Sequence, residues 1–314
     1  CNGGAAQPGR AGGPTLTAMG KASRRKKAQG EQGGKVKVAP APYVARPFEG
    51  LPGETDWVAA HEIIPAATAT LTLTGEGVPE GSPKTVTLAT VLPMAWAALH
   101  RADGAVLVAC QSGSSSGDAS RDLAAALLAA LETEPGNPVP TAPRTTAETP
   151  RLQDLLDTDA PFELEVHEGF DFWVGDDDLD EAGRESLDRA NETVVPTRPM
   201  SSAPSAYWCQ IGERTYIRWI LGDDEDAATT ALARLAAAGE SELGAGNKLL
   251  GAFRAGGLLV PVWEVPADTE AADHEDELAA MQERYRTALA QDEPLTPDER
   301  RARAGLTSRQ VTLR

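Results

Sequence analysis

The chain has 314 residues, 47 acidic against 29 basic side chains and a net charge of −18. No apolar run approaches the roughly 20 residues of a membrane-spanning helix, and the three cysteines, Cys1, Cys110 and Cys209, form neither a C-x-x-C pair nor a zinc set. The charge is uneven: residues 1–40 hold eight Lys and Arg against Glu31, a net of +7, which leaves −25 for residues 41–314. A basic arm therefore precedes an acidic body, and only the arm would attract nucleic acid or anionic lipid.

The first 18 residues, CNGGAAQPGRAGGPTLTA, contain no hydrophobic signal region. Three readings fit them: a lipoprotein acylated at Cys1, a fragment of something longer, or upstream sequence translated from an early start. The last is preferred, with Met19 as the natural start and a cytoplasmic protein with reduced thiols. Residues 1–40 are rich in Gly, Lys and Gln and should form a disordered basic N-terminal arm. Lys21, Arg24, Arg25, Lys26 and Lys27 place five cations within seven residues, enough to neutralise several phosphates. RNA or ribosome contact is the expected nucleic-acid-binding role, weighed against a solubilising tail. No RRM, KH or helix-turn-helix signature supports sequence-specific recognition.

Residues 42–57 read as an extended segment laid on a surface. The alternation in TATLTLT (68–74) predicts a half-buried strand, and KTVTLATVL (84–92) another. MAWAALH (94–100) leads through the turn RADG (101–104) into the strand AVLVACQ (105–111). After a Ser/Gly loop, residues 120–133 form an Ala/Leu helix with Ser120 as its cap. Residues 135–150 read as a Pro-rich linker. Beyond it come a short helix, strand-like FELEVHEGFDFWV (162–174) and an acidic helix within 175–192. A hairpin over 206–221 and a helix within 222–239 follow. In residues 243–266, Leu249, Leu250 and Phe253 suggest an apolar helix face stopped by Gly256-Gly257. LLVPVWEV then reads as an edge strand because of Pro261. Residues 268–291 predict a charged helix and 292–314 a polar tail.

The fold class is α+β: two similar strand-hairpin/helix modules, mostly antiparallel sheet, with disordered termini. Module 1 spans 41–134, the linker 135–150, module 2 151–266, and the charged helix and tail 267–314. In each module a Trp-bearing strand (Trp96, Trp208) meets a Gly turn, a second strand, a polar loop and an Ala/Leu helix. An old duplication fits this order, and so does the commonness of strand–turn–strand–helix.

MGKASRRKK, VAPAPYVARPFEGLPGETDWVA, PAATAT, LLGAFRAGGLLVPVWEVP and LTPDERRARAGLTSRQVTLR resemble the actinobacterial family of unknown function DUF5926, over residues 19–314. The resemblance supports Met19 as the start. It implies no known activity and carries over no catalytic residue. It also brings in a label attached to such sequences, preprotein translocase SecA. Taken literally that label fails, because no GxxxxGK[ST] phosphate loop is present.

GSSSG (113–117) matches G-x-S-x-G with Ser115 in the nucleophile position between a strand and a helix, and His167 follows in suitable order. Three serines between glycines also look like a flexible linker. GAGNKLLG (244–251), with Lys248, has the glycine density of a phosphate loop but the wrong spacing. Asp176, Asp178 and Asp180 mimic a calcium loop, yet Glu181 and Leu187 stand where Gly and a bidentate acid are needed. His61, His100, His167 and His274 form no HExxH motif, and in a strand His61-Glu62 and His167-Glu168 would face opposite sides. No catalytic, cofactor-binding or metal residue is assigned, and no cofactor. The expected function is a noncatalytic binding or adaptor protein with an unknown protein partner and an RNA-contacting arm. The alternatives are an enzyme with an unrecognised site, with its weak signal at Ser115, or a protein linked to preprotein translocation.

Overall fold

The computed structural model describes residues 38–113, 116–175 and 179–308, among which are seven α-helices and eleven strands in two sheets. The alternating segment forms β1 (Ala67–Thr72), with Ala67, Ala69 and Leu71 on the buried face. It pairs antiparallel with β2 (Thr85–Ala89). The Arg101–Gly104 turn, with Gly104 at φ 88°, joins β3 (Ala98–His100) to β4 (Val106–Ala109). β4 runs parallel to β2, so the loops that follow these two strands leave the same end of the sheet. β5 (Asn137–Val139) pairs with β3 and β6 (Glu165–Val166) with β1, giving the order β5-β3-β4-β2-β1-β6.

The second sheet is antiparallel throughout, in the order β10-β11-β9-β8-β7. Its strands are β7 (Thr197–Pro199), β8 (Ala206–Ile211), β9 (Arg214–Trp219), β10 (Leu249–Ala255) and β11 (Leu258–Val265). Each sheet thus holds a hairpin followed by a 14-residue helix: α2 (Ala119–Glu132) after β3–β4, and α5 (Glu225–Ala238) after β8–β9. The sheets differ in that only the first contains a parallel pair, β2–β4.

Helix α1 (Glu54–Glu62) lies between the sheets' hydrophobic residues. Trp57, Val58, Ala59 and Ala60 enter one core that runs from β1, β2, β4 and α2 to Ile220, Leu258 and Val260. Asp56 ties α1 to the second sheet, accepting bonds from Ser205 Oγ (2.6 Å) and Tyr207 Oη (3.1 Å). Burial and the Asp56 carboxylate push the Tyr207 phenol far above its ordinary range. A second core joins Trp208, Ile217, Trp219 and Trp263 to α5 and α6 (Glu275–Leu289). Helix α7 (Pro297–Ser308) packs on α5. Arg234, buried on α5, holds the α6–α7 connection by donating to the carbonyls of Ala288 (2.9 Å), Gln291 (2.5 Å) and Glu293 (2.6 Å).

Several local expectations change. The end of the segment read as extended, residues 54–57, is helical and opens α1, and of 162–174 only Glu165–Val166 is strand. Leu249, Leu250 and Phe253 lie on β10, not on a helix: pairing with β11 overrides their helix propensity. Gly256 (φ 51°) and Gly257 (φ 81°) are the two-residue loop of that hairpin, closed by the Ala255–Leu258 pair. β11 is central rather than an edge strand. Its ladder to β9 starts at Val262, just past Pro261, so the missing N–H costs nothing there. The start of the tail is helical as α7.

At the start of α6, Glu275 accepts N–H bonds from Ser201 and Ser202, both 2.8 Å. Burial works to raise its pKa, but these bonds together outweigh it and hold the carboxyl below the usual glutamate range. The stabilisation is present above the unfolded-state pKa and is lost as pH falls through the lower folded value. The stability gap between wild type and Glu275→Gln should therefore be largest near neutrality. It should close through the acid range in urea titrations, and a gap that widens on acidification would contradict this.

Candidate functional site

The strands and helices above converge on a cleft of about 870 Å³. One wall is the extended segment Tyr43–Pro47, whose Val44 N–H donates to Gly117 O (2.9 Å). Side chains strap this segment down from behind. Arg151 Nη2 donates to Pro47 O (2.7 Å), and Gln153 Nε2 to Pro47 O (3.0 Å) and Glu49 O (2.9 Å). The Gly256-Gly257 turn abuts it so closely that a Cβ on Gly257 would lie 2.4 Å from Ala45 O. Glycine is required there for room as well as for φ.

The other walls are the end of α1 (His61, Glu62), the loop after β4 (Gln111–Gly113, Gly117) and the first turns of α2 and α5 (Asp118, Asp122, Asp224, Glu225). Both 14-residue helices thus bring their N-termini to one space. Five carboxylates line it: Glu62, Asp118, Asp122, Asp224 and Glu225. Its two arginines are engaged. Arg46 makes a bidentate pair with Glu54 (3.0 and 2.6 Å), and Arg254 Nε donates to Glu225 (2.6 Å). Those hydrogen bonds raise both arginine pKa values further. Tyr43 stands at the rim, 80% exposed.

The carboxylates differ in what they do. Asp118 is fully buried, with Arg121 Nε and Arg151 Nε each at 3.2 Å. Its oxygens lack aligned hydrogen bonds, so the contact is coulombic. Asp122 accepts from Ser116 N (2.8 Å) and fixes the loop. Asp224 caps α5 through Asp226 N (2.9 Å) and Ala227 N (3.2 Å). Glu62 is exposed and meets His61 Nδ1 at 3.0 Å. These two neighbours end helix α1, so the opposite facing expected of a strand does not apply to them.

The sequence candidates fall elsewhere or outside the described residues. Lys21, Arg24, Arg25, Lys26, Lys27, Ser115, Asp176 and Asp178 lie outside them. Asp180 caps α4 (Glu181–Asn191), accepting from Gly183 N (2.8 Å). His167 does not line the cleft; its Nε2 meets Thr68 Oγ1 (2.7 Å) beside β6. His100 Nδ1 faces Thr133 O (2.5 Å). His274 is buried between Thr269 Oγ1 (2.8 Å) and Glu277 (2.9 Å). Lys248 leads into β10, so its glycines belong to a strand entry. Among the described residues, no three His, Cys, Asp or Glu side chains group as metal ligands. Among them also, no helix is long and apolar enough to cross a membrane.

Both described cysteines are buried and free. Burial, with Glu62 adding to it, pushes the Cys110 thiol far up. Burial also raises Cys209, against the opposing pull of buried Arg218. Thiol reagents attack the thiolate. Dithionitrobenzoate should therefore leave Cys110 and Cys209 unmodified in the folded protein and titrate both in denaturant. Rapid native labelling of either, mapped by mass spectrometry, would contradict the burial.

No curated protein and no solved structure matches the chain significantly. A family model does, over residues 47–314, which takes in most of the cleft, both sheets and the C-terminal helices. The chain belongs to DUF5926, a family of unknown function.

Proposed function

We propose that the protein is a noncatalytic binding or adaptor protein whose cleft takes a cationic ligand, a Lys/Arg-rich peptide segment. One observation carries the reading: of the five carboxylates lining the cleft, Glu62, Asp122 and Asp224 have no arginine salt-bridge partner among the described residues, and its two arginines are already paired with glutamates. An incoming guanidinium or ammonium meets uncompensated negative charge, and the exposed Tyr43 ring offers a cation–π face. Isothermal titration with an oligoarginine peptide tests it. Binding should weaken about fivefold or more in Glu62→Gln/Glu225→Gln, with amide shifts at Gly117, Gly256 and Gly257. Equal binding by this variant, or by an oligoglutamate, would sink the reading.

The basic arm supplies a second contact in the same proposal, holding the protein near RNA or ribosomes in the cytoplasm through Lys21, Arg24, Arg25, Lys26 and Lys27. Sedimentation of lysate through sucrose tests it against a twin lacking residues 19–38. Salt-sensitive co-sedimentation of the full chain alone is expected. If both forms stay at the top at low salt, the arm has no such role.

A hydrolase is the second reading, because His61, with Nδ1 held by Glu62, shares the cleft with Ser112 and Gly113, at the start of the loop that carries Ser115. A fluorophosphonate probe decides between them. No labelling is expected; labelling abolished by Ser115→Ala would replace binding with catalysis.

A further inference from the structure

The first sheet has a second face, turned away from α2, which the cleft does not use. Ala89, Leu92, Leu107 and Ala109 form its buried layer. The cover is thin: the 3-10 turn Asp171–Trp173 lays Phe172 and Trp173 over it, and Trp96 and Leu99 pack beside them. These four side chains remain half-buried. Trp173 is fixed by a bond from Nε1 to Val91 O (2.9 Å) and by stacking on Phe170 at 4.5 Å. The aromatic surface is therefore rigid, which lowers the entropy cost of docking on it.

Between β2 and β3 the chain adds Met94, 86% exposed. Met94 (φ 54°) and Ala95 (φ 56°) both hold left-handed backbone without being glycine. Such a conformation is strained for a residue with a Cβ and persists only where its surroundings dictate it. The result is an unbranched, polarizable side chain presented to solvent beside tryptophans, a composition enriched in protein-binding surfaces.

Charge indicates the occupant. The described residues of 163–192, which flank the aromatic cover, hold nine carboxylates against Arg184 and Arg189, a net of −7 (2 − 9). Helix α4 has no buried residue and carries Glu181, Glu185 and Asp188 against Arg184 and Arg189; its last residue, Asn191, accepts from Phe170 N (2.7 Å), so these carboxylates are fastened beside the aromatic patch. Arg101 Nη1 also meets Phe172 O (3.4 Å), but Asp103 holds that guanidinium, so the rim is net acidic and selects a partner with the opposite sign and an apolar stripe.

We propose that the Met94–Trp96–Phe172–Trp173 face docks an amphipathic Lys/Arg-rich segment of a partner protein, with the aromatic residues taking its apolar side and the surrounding carboxylates its charges.

Methyl NMR on the full chain, labelled with 13C at methionine methyls, tests this without depending on the cleft. Met94 is the exposed reporter, while Met200 and Met281 are buried internal references. A leucine–lysine amphipathic peptide should shift the Met94 methyl to saturation and leave Met281 in place. Affinity should fall about fivefold or more in Met94→Ser, and similarly in Glu181→Gln/Glu185→Gln/Asp188→Asn, whose side chains are exposed. The proposal is overturned if Met94 does not move, or if an oligolysine or a leucine–glutamate peptide moves it equally. It is also overturned if Met94 shifts on deletion of residues 19–38 alone, which would make the chain's own arm the occupant. Concentration-dependent shifts without peptide would assign the face to a second copy instead. Loss of oligoarginine binding in the cleft variant leaves these outcomes unchanged, so the two sites fail or stand separately.

Discussion

Asp118→Asn should destabilise the protein by about 3–5 kcal/mol, measured as a fall in the urea midpoint at unchanged slope. Asp118 is completely buried and faces two guanidiniums, Arg121 and Arg151, each at 3.2 Å. A neutral amide leaves both cations partly buried without a counter-charge, and that uncompensated charge is the cost. The loss does not come from helix capping. Asp118 precedes α2 but makes no side-chain cap bond, whereas Asp224 caps α5. Asp224→Ala should cost only about 1 kcal/mol, so the two N-terminal aspartates separate by several-fold in effect. Arg151 also donates to Pro47 O, and Arg121 to Thr149 O, so the cluster holds the cleft's 43–47 wall in place. Amide exchange at Val44 should accelerate in the same variant. A change under about 1 kcal/mol would show that water reaches the pair and screens it.

How much of this was legible in the sequence depends on the range of the interactions. The hairpins at Gly104 and Gly212 and the Ala/Leu helices α2 and α5 are local: turn chemistry and composition agree within about 20 residues of chain, although Ser120, read as the cap of α2, lies inside that helix and its Oγ donates to Gln153 Oε1. β10 was not legible, because LLGAFRA has the composition of a helix and becomes a strand only through its β11 partner. Gly256-Gly257 carried the correcting signal, since two glycines between β-forming runs mark a hairpin as readily as a helix stop. Helix α1 was obscured because Trp57, Val58, Ala59 and Ala60 are all buried and leave no polar stripe pattern. The cleft was the least legible feature. Its walls come from 43–47, 61–62, 111–113, 117–119, Asp122, 224–225 and 254–257, and nothing in the spacing of those stretches says that they meet. In the sequence His61-Glu62 reads only as a strand pair facing opposite sides; at the end of α1 the two side chains meet instead.

Trp57→Ala and Trp263→Ala should each cost about 3–5 kcal/mol, since both side chains are fully buried and a truncated indole leaves a cavity that a close-packed core fills only in part. Trp57 stacks between Phe48 (5.5 Å) and Phe162 (4.6 Å), which adds ring contacts beyond buried area. The more informative pair is Trp57→Phe and Trp263→Phe, which keep an aromatic ring and remove the indole N–H. Trp263 Nε1 donates to Ser241 O at 2.8 Å, whereas buried Trp57 Nε1 has no hydrogen-bond partner. Phenylalanine at 57 therefore loses volume but relieves an unsatisfied donor, while at 263 it loses volume and strands a carbonyl. Trp263→Phe should be the costlier of the two by about 1–2 kcal/mol. Urea unfolding followed by far-ultraviolet circular dichroism gives the comparison. The reverse order would mean that Trp57 N–H has a partner, such as an ordered water, and that the core joining α1 to both sheets is wetter than its packing indicates.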